Sequence, residues 1–374
     1  MPSERVLQVG VIGCGGIAQM MHLPFLRSLP TLFHIQAISD LSPSLLKAIG
    51  ELYGVPGERQ FTDFHDLVQQ DLDAILVLSG GSHAPPVLAA IEAGKHVLVE
   101  KPLCYTLREA EAIAESVQRA QVKVMVAYMK RYDSGYRTAQ KLLKGMGEVR
   151  YAQINTLHPA EDDYLSIHGI LRFNDIPADV LAQLSAAEEA LLDEAIGRVS
   201  PTSLRKVYGN ILLGSMVHDM NALRGLLGEP DQVVSTEIWP AEEKEPSITT
   251  VLAYGNRTRV VFTWTYLEQL RDYFEEIALM SSANRLRIQF PSPYLRHFPT
   301  PIVFQGMENG TAYEKRILVS YDEAFREELL AFHQCIVQDI EPLTNIEDAR
   351  RDIVWLQRVF AKYQPAGLSG EAAQ

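Results

Sequence analysis

The sequence is short of cysteine, of positive charge and of long apolar runs, and each shortage removes a class of function. Its three cysteines, Cys14, Cys104 and Cys335, are odd in number and far apart, with no CxxC and no Cys/His cluster. That excludes a disulfide framework and a zinc site and points to a reducing compartment. Lys and Arg total 34 against 47 Asp and Glu, a net charge of −13. With no cluster of basic residues, nucleic acid and anionic lipid drop out as partners. No apolar run approaches the ~20 residues that span a bilayer, and the opening MPSERVLQVG lacks a charged-then-apolar leader. The expected location is therefore cytoplasmic. Repeats and low-complexity tracts are missing. So are HExxH, GxSxG and any carboxylate triad with metal spacing, which leaves no metal site and no serine nucleophile to propose.

What is present is an ordinary globular composition, 47% apolar and 22% charged over 374 residues, enough for two domains and a core that needs no staples. From Val6 to about Lys130, β-branched runs alternate with helical stretches. Val6 to Ile12, His34 to Ser39, Ala74 to Leu78, His96 to Val99 and Val122 to Ala127 read as buried strands. Pro24 to Leu29, Pro43 to Tyr53, Phe64 to Gln69, Pro86 to Ala93 and Leu107 to Ala120 read as the helices between them. Strands separated by helices form a parallel, doubly wound α/β sheet. After Gly147 the strands follow one another through short turns: Val149 to Asn155, Gln232 to Trp239, Thr249 to Tyr254, Thr258 to Thr265, Phe274 to Met280 and Arg285 to Phe290, with a hairpin at Tyr254-Gly255-Asn256-Arg257. This is an α+β region with a large, mainly antiparallel open sheet, one face covered by helices and the other available to a second subunit.

The expected division is residues 1–130 for the first domain and 131–364 for the second, followed by a flexible tail at 365–374. The second domain carries a helical insertion at about 157–207. Within it, Asp175 to Val199 has an Asp-x-Pro start and a face of Val180, Leu181, Leu184, Ala187, Leu191 and Leu192. Two late helices, Asp322 to Gln338 and Ile346 to Tyr363, are expected to pack back on the body.

The chemistry is written first in Gly13-Cys14-Gly15-Gly16-Ile17-Ala18, a GxGxxA loop between the first strand and a helix. Gly13 permits the tight turn, Gly15 lets the backbone approach a pyrophosphate, and the small Ala18 lets the helix pack on the strand. By itself the string also reads as a plain strand-to-helix turn. Asp40, at the end of the second strand, supplies a carboxylate for the ribose hydroxyls of an adenosine. No Arg follows it in Leu41-Ser42-Pro43-Ser44, so a 2′-phosphate would meet negative charge alone. NAD is expected and NADP less so. The fourth strand ends in Glu100-Lys101-Pro102, which places a cation at the carboxyl end of a strand, where open α/β sheets bind ligands. There it would polarise an alkoxide and pass on a proton, or form no more than a surface pair with Glu100.

These motifs, with Ala89-Ala90-Ile91-Glu92-Ala93-Gly94-Lys95-His96-Val97-Leu98-Val99-Glu100-Lys101-Pro102 and with His218 before Leu223-Arg224-Gly225-Leu226-Leu227-Gly228, resemble the Gfo/Idh/MocA oxidoreductases, among them glucose-fructose oxidoreductase and inositol dehydrogenase. The resemblance covers nearly the whole chain. It implies a Rossmann domain followed by an open sheet that lines the substrate pocket and builds homodimers or homotetramers. It also implies that Lys101 contacts both nicotinamide ribose and substrate, and that the Lys101-Pro102 bond is cis. Ser79, His83 and Glu100 would join the glycine loop around the coenzyme, although Leu78-Ser79-Gly80-Gly81-Ser82-His83 replaces the Thr-Pro-Asn that often precedes His83. A larger departure is Gly214-Ser215-Met216-Val217-His218-Asp219-Met220-Asn221. It keeps the His of a D-x-G-x-H-x-x-D pattern and loses both Asp residues.

On a helix a carboxylate four residues before His218 would share its face, which Gly214 cannot replace. Asp219 diverges from its neighbour by about 100°. Asn221, at i+3, would orient the imidazole without charging it. His218 is thus the expected acid or base and Lys101 its catalytic partner. Arg131, Tyr132, His158, Asp163, Tyr164 and Asn221 are the expected substrate contacts, while Trp239, Trp264 and Tyr266 read as core or interface aromatics. The reaction so implied is hydride transfer between nicotinamide and a secondary alcohol or ketone of a sugar, sugar derivative or cyclitol. The alternatives are a dinucleotide-binding regulator with little turnover and an NAD-dependent glycosidase.

Overall fold

A computed structural model describes residues 5–199, 203–241, 243 and 246–364; the expected tail at 365–374 lies outside the described residues. The chain divides into two compact units. The first is Met1–Asp133 with Asp162–Ala195 and Asp322–Ile353, and the second is Ser134–Glu161 with Ile196–Tyr321 and Val354–Gln374. The units are not consecutive in sequence: segment 162–195, expected in the second half, groups with the first.

In the first unit, β1 (Leu7–Ile12), β2 (Phe33–Ser39), β3 (Gln60–Phe61), β4 (Ala74–Val77), β5 (His96–Val99) and β6 (Val124–Val126) form one sheet in the order β3-β2-β1-β4-β5-β6, every pair parallel. β4 and β6 are buried throughout and β5 at all but His96, as befits strands covered on both faces. β3 was not expected, because two residues are too few for periodicity to register. Order reverses between β1 and β4, which opens the crevice where such sheets bind ligands. In register, Ile12 pairs with Val77, Val77 with Val99 and Val99 with Val126. The chain therefore leaves four neighbouring strands at one level, and Gly13, Leu78, Glu100 and Ala127 come to one edge of the sheet.

Local signals explain the helices that hold this edge. Helix Pro43–Tyr53 is capped by Ser42, whose side chain accepts from the Leu45 N–H, and is stopped by Gly54 at φ +74°, a left-handed position that glycine takes without strain. Helix Leu107–Ala120 begins with a complete capping box of Thr106 and Glu109. After the glycine loop comes a five-residue π-helix, Ala18–His22, before the α-helix Leu23–Ser28. The expected helix thus starts six residues early and in a wider winding. Helix Ala178–Ile196 forms as expected, but its apolar face is largely open: Leu192 is buried, whereas Leu181 and Leu184 are about half exposed.

In the second unit, β7 (Val149–His158), β8 (Gln232–Trp239), β9 (Ser247–Tyr254), β10 (Thr258–Tyr266), β11 (Phe274–Ser281), β12 (Arg285–Phe290), β13 (Ile302–Glu308) and β14 (Thr311–Ile317) form a sheet in the order β14-β13-β12-β11-β7-β10-β9-β8. Only the β7–β10 pair is parallel; the other neighbours are antiparallel. β13 and β14 were missed. Their signal was Asn309-Gly310, both at positive φ between two strand-like runs, the dipeptide a two-residue hairpin favours. Val260, Phe262 and Trp264 on β10 alternate with less buried residues. Helices tie to the sheet and to one another by polar bonds: Trp264 Nε1 donates to Ser215 Oγ at 3.0 Å, Thr156 Oγ1 to Asp219 Oδ2 at 3.1 Å, and Tyr136 Oη to the Ala222 carbonyl at 2.8 Å.

Candidate active site

The crevice of the first unit is shaped by glycine. Gly13 has φ +89°, and a Cβ built on it would stand 2.4 Å from the Ser79 nitrogen, so only glycine lets the first and fourth strand ends come together. A Cβ on Gly15 would meet nothing within 4 Å, which leaves backbone facing open space at the start of the π-helix. Ala18 is fully buried. At the end of β2 the Asp40 carboxylate accepts from the Cys14 N–H at 2.8 Å and the Ser42 N–H at 2.9 Å. Two backbone donors hold it in place and leave lone pairs for hydroxyls. Burial, with the charge of Asp40, pushes the Cys14 thiol up, so it is a packing group and not a nucleophile. A bare glycine turn, a helix start and an oriented carboxylate fit the pyrophosphate and ribose of a dinucleotide.

At the end of β5 the side chains are heavily committed. The Lys101-Pro102 bond is cis. Glu100 is buried, its Oε1 lies 2.7 Å from His22 Nε2, and its Oε2 accepts from the Lys101 N–H at 3.1 Å. Burial pushes the Glu100 carboxyl up, but the His22 hydrogen bond and the charges of His22, Lys101 and His83 outweigh it and hold the group below the usual carboxylate range. His83 is buried with Nδ1 2.6 Å from the Pro102 carbonyl and Nε2 2.6 Å from the Ser79 carbonyl. It staples the Ser79 loop to the Lys101 turn. Burial holds its imidazole below the ordinary histidine range against those two contacts. Of the expected coenzyme residues, Glu100 and His83 therefore serve the frame, while the half-buried Lys101 stands on it.

Sequence reasoning missed two members of this frame. His22 needed the tertiary fold to meet Glu100. Glu328 had a signal: it lies three residues after Phe325 and four before Phe332, both buried, on the apolar stripe of helix Ala324–Val337. Neither of its carboxyl oxygens has a hydrogen-bond partner. Burial, with the charge of Glu100, pushes this carboxyl well up and favours its neutral form.

In the second unit His218 is half-buried in the first turn of helix Val217–Leu227, directly after a ten-residue π-helix, Val207–Met216. Gly214 lies in the π segment, whose wider turn breaks the α-helical relation between positions four apart that the sequence suggested. Asp219 is buried against the Thr156 hydroxyl, as expected from adjacent residues that diverge on a helix. Asn221, three residues after His218 and expected as a substrate contact, is wholly buried.

Other expected substrate contacts also move. Arg131 and Tyr132 turn into the first unit: Arg131 Nη1 stands 3.5 Å from Asp348 Oδ2, and Tyr132 Oη is 2.8 Å from Thr344 Oγ1, both side chains buried. The cause is the short 3-10 turn Met129–Arg131 after β6, which folds them inward. His158 ends β7 with its ring 5.6 Å from Trp264 and 5.6 Å from Tyr273, a polar edge in an aromatic nest. Trp264 is buried, Trp239 is partly exposed, and Tyr266 stacks on Trp264 at 6.5 Å. Tyr164 and Asp163 lie in helix Asp162–Ser166, which groups with the first unit; the Asp163 side chain lies outside what is described. No helix among the described residues is long and apolar enough to cross a membrane.

Residues 7–128 match the model of a family described as oxidoreductase, NAD-binding Rossmann fold. The chain is 25% identical over 292 residues to myo-inositol 2-dehydrogenase of Thermotoga maritima, covering 72% of this chain and 86% of that one. It is 38% identical over 144 residues to inositol 2-dehydrogenase 3 of Saccharopolyspora erythraea, covering 38% of this chain and only 41% of that one. Among solved structures, a 3-ketoreductase of Actinomadura kijaniata in complex with NADP superposes with TM-score 0.72 at 20% identity, covering 96% of this chain and 98% of that one, a likeness of fold.

Proposed function

The chain belongs to the Gfo/Idh/MocA oxidoreductases and is a dehydrogenase acting on CH–OH groups; on that premise we propose that it moves a hydride between NAD and a secondary alcohol or ketone of a cyclitol or sugar. The inositol dehydrogenases among its relatives support that substrate class. The observation that carries the reading is the common edge of the first sheet, where Gly13, Ser79 and Lys101 follow strands that end in register. Bound NAD supplies the hydride acceptor or donor. Gly13, Gly15, Gly16, Ile17 and Ala18 receive its pyrophosphate, Asp40 its adenosine ribose, and Ser79 underlies it. Lys101, fixed by the Glu100–His22 pair beneath it, holds and polarises the reacting oxygen of the substrate. His218 takes the hydroxyl proton in oxidation and returns it in reduction. His158 and Tyr164 are proposed to bind substrate hydroxyls. The first domain, residues 1–130, is taken to serve the coenzyme and the second the substrate, and the open sheet to build a homodimer or homotetramer.

The test is stopped-flow absorbance of the reduced nicotinamide with NAD and a panel of inositols, sugars and sugar acids. At least one should be oxidised, and Lys101→Met should lower its kcat by ~10²-fold or more while the NAD Kd stays within about threefold. Full turnover in Lys101→Met would refute the assignment. A second reading, a dinucleotide-binding regulator, is favoured by Gly214 in place of a carboxylate. Tight NAD binding with no reduction across the panel would select it.

A further inference from the structure

Segment 162–195, which the first unit claims, is fastened along the coenzyme crevice at two ends. At the pyrophosphate end the Gln19 amide bridges the two pieces of chain. Its Nε2 donates to the Cys14 carbonyl at 2.8 Å and to the Leu171 carbonyl at 3.1 Å, while its Oε1 accepts from the Leu171 N–H at 2.9 Å. Beside it, a Cβ on Gly16 would stand 3.9 Å from Ile170 Cδ1. At the adenosine end the Asp175 carboxylate accepts from the Ser44 N–H at 2.8 Å and from the Ser42 hydroxyl. Helix Ala178–Ile196 continues the attachment: Tyr105 Oη donates to Glu188 Oε1 at 3.0 Å, and Arg108 forms a two-pronged pair with Glu194 at 2.9 and 2.7 Å.

Asp175 occupies a position of chemical consequence. Ser42 and Ser44 flank the start of an 11-residue helix, Pro43–Tyr53, where free N–H groups and the positive end of the helix dipole favour an anion. That start lies three residues past Asp40, whose carboxylate is fixed by the Cys14 and Ser42 N–H groups and is proposed above to hold the adenosine ribose. A phosphate on the ribose 2′-oxygen would need a donor and a cation there. It finds no Arg or Lys in Leu41-Ser42-Pro43-Ser44, and the donors of Ser42 and Ser44 are already taken by a carboxylate from a distant part of the chain.

We propose that Asp175 is a specificity-determining residue for the coenzyme: by filling the anion seat at the start of helix Pro43–Tyr53 it excludes a 2′-phosphate and makes the chain select NAD over NADP. The proposal rests on the NAD reading above. It assigns to the strap, and not to Asp40 alone, a share of the discrimination. Two carboxylates then face the 2′-position, one that binds its hydroxyl and one that repels its phosphate.

The test is isothermal titration of the full chain with NAD, NADP and 2′,5′-ADP for the wild type, Asp175→Asn, Asp175→Ala, Asp40→Ala and the double variant Asp40→Ala/Asp175→Ala. Wild type is expected to bind NAD at least ~100-fold tighter than NADP. Asp175→Asn and Asp175→Ala should each tighten NADP and 2′,5′-ADP about tenfold or more and leave the NAD Kd within about threefold. Raising the salt concentration should narrow the wild-type preference and have less effect on the Asp175 variants, because the repulsion removed is between charges. If Asp40→Ala shifts the preference and the Asp175 variants do not, the inference is overturned while the coenzyme reading stands. If the wild type binds neither coenzyme, or prefers NADP, the NAD reading itself falls and the inference with it.

Discussion

The turn that carries Lys101 and the helix that carries His218 are built on opposite terms. Around Lys101 the polar neighbours are committed to partners in their own unit: His83 to two carbonyls, Glu100 to His22, and Glu109 to Ser82 at 2.7 Å as well as to the Tyr105 and Thr106 N–H groups. The helix of His218 follows a π segment, has glycine at position 214, and sends the adjacent acid, Asp219, to Thr156. The first arrangement fixes the turn from which Lys101 extends by a shell of bonded groups; the second places His218 after a π segment with glycine at position 214. On the roles proposed above, geometric precision is vested in the coenzyme side, while proton transfer at His218 is the step that tolerates variation, since general acid–base work asks chiefly for a titratable group within reach.

The contrast can be broken most directly at His218. His218→Asn should lower kcat by ~10²- to 10⁴-fold with KM little changed, and should remove one limb of the pH–rate profile. A loss under tenfold would move proton transfer to another group. Next in size, Gly13→Ala should cost about 2–4 kcal/mol, because the new methyl collides with Ser79 backbone and the residue is held at φ +89°. Urea denaturation measures it, and a variant as stable as wild type would show that the first and fourth strand ends are loosely joined.

Glu328 sharpens the same comparison through pH. Its carboxyl is raised by burial and by Glu100, with Tyr132 also within its electrostatic reach, so the folded protein holds a proton that the unfolded chain releases above about pH 4.3. Its contribution to stability is full below that pH and is lost as pH rises toward the raised folded value. Glu328→Gln keeps a neutral group of the same shape. Relative to wild type it should gain stability as pH rises above about 4.3 toward the raised folded value, at a slope approaching ~1.4 kcal/mol per pH unit, and parallel stability curves would refute the raised carboxyl. Least of all, Arg108→Ala, which removes an exposed pair with Glu194, should leave Tm and kcat unchanged. A marked fall in Tm would mean that helix Ala178–Ile196 is held mainly by that pair.

Much of the first unit was legible because its signals are local. Glycine at a left-handed turn, Ser42 before Pro43, the Thr106–Glu109 box and short β-branched runs state the order β-α-β without reference to distant contacts. The site was half legible. Lys101, Asp40 and the glycine loop are motif residues on strand ends, and a strand end in a parallel sheet has one destination. The partners of Arg131 and Tyr132 were not legible because a three-residue 3-10 turn decides which way they face, and no periodicity records so short a turn. The burial of Asn221 was not legible, because an amide on a helix satisfies its bonds inside or outside with equal ease. The last two strands of the second sheet were legible only through the Asn309-Gly310 turn that joins them.

By itself the sequence determined that a GxGxxA glycine loop follows the first strand, that no Arg or Lys stands in the four residues after Asp40, and that Lys101 follows the run His96–Val99. These are properties of consecutive residues, and backbone sterics and strand direction fix them. Only the tertiary structure decided that His22 and Glu328 stand under the lysine turn, and that Asp175, well over a hundred residues from Ser42, closes the helix start beside Asp40. Such groups meet only after the chain has folded, since burial and long-range hydrogen bonds choose partners by position in space and leave no periodic mark along the sequence.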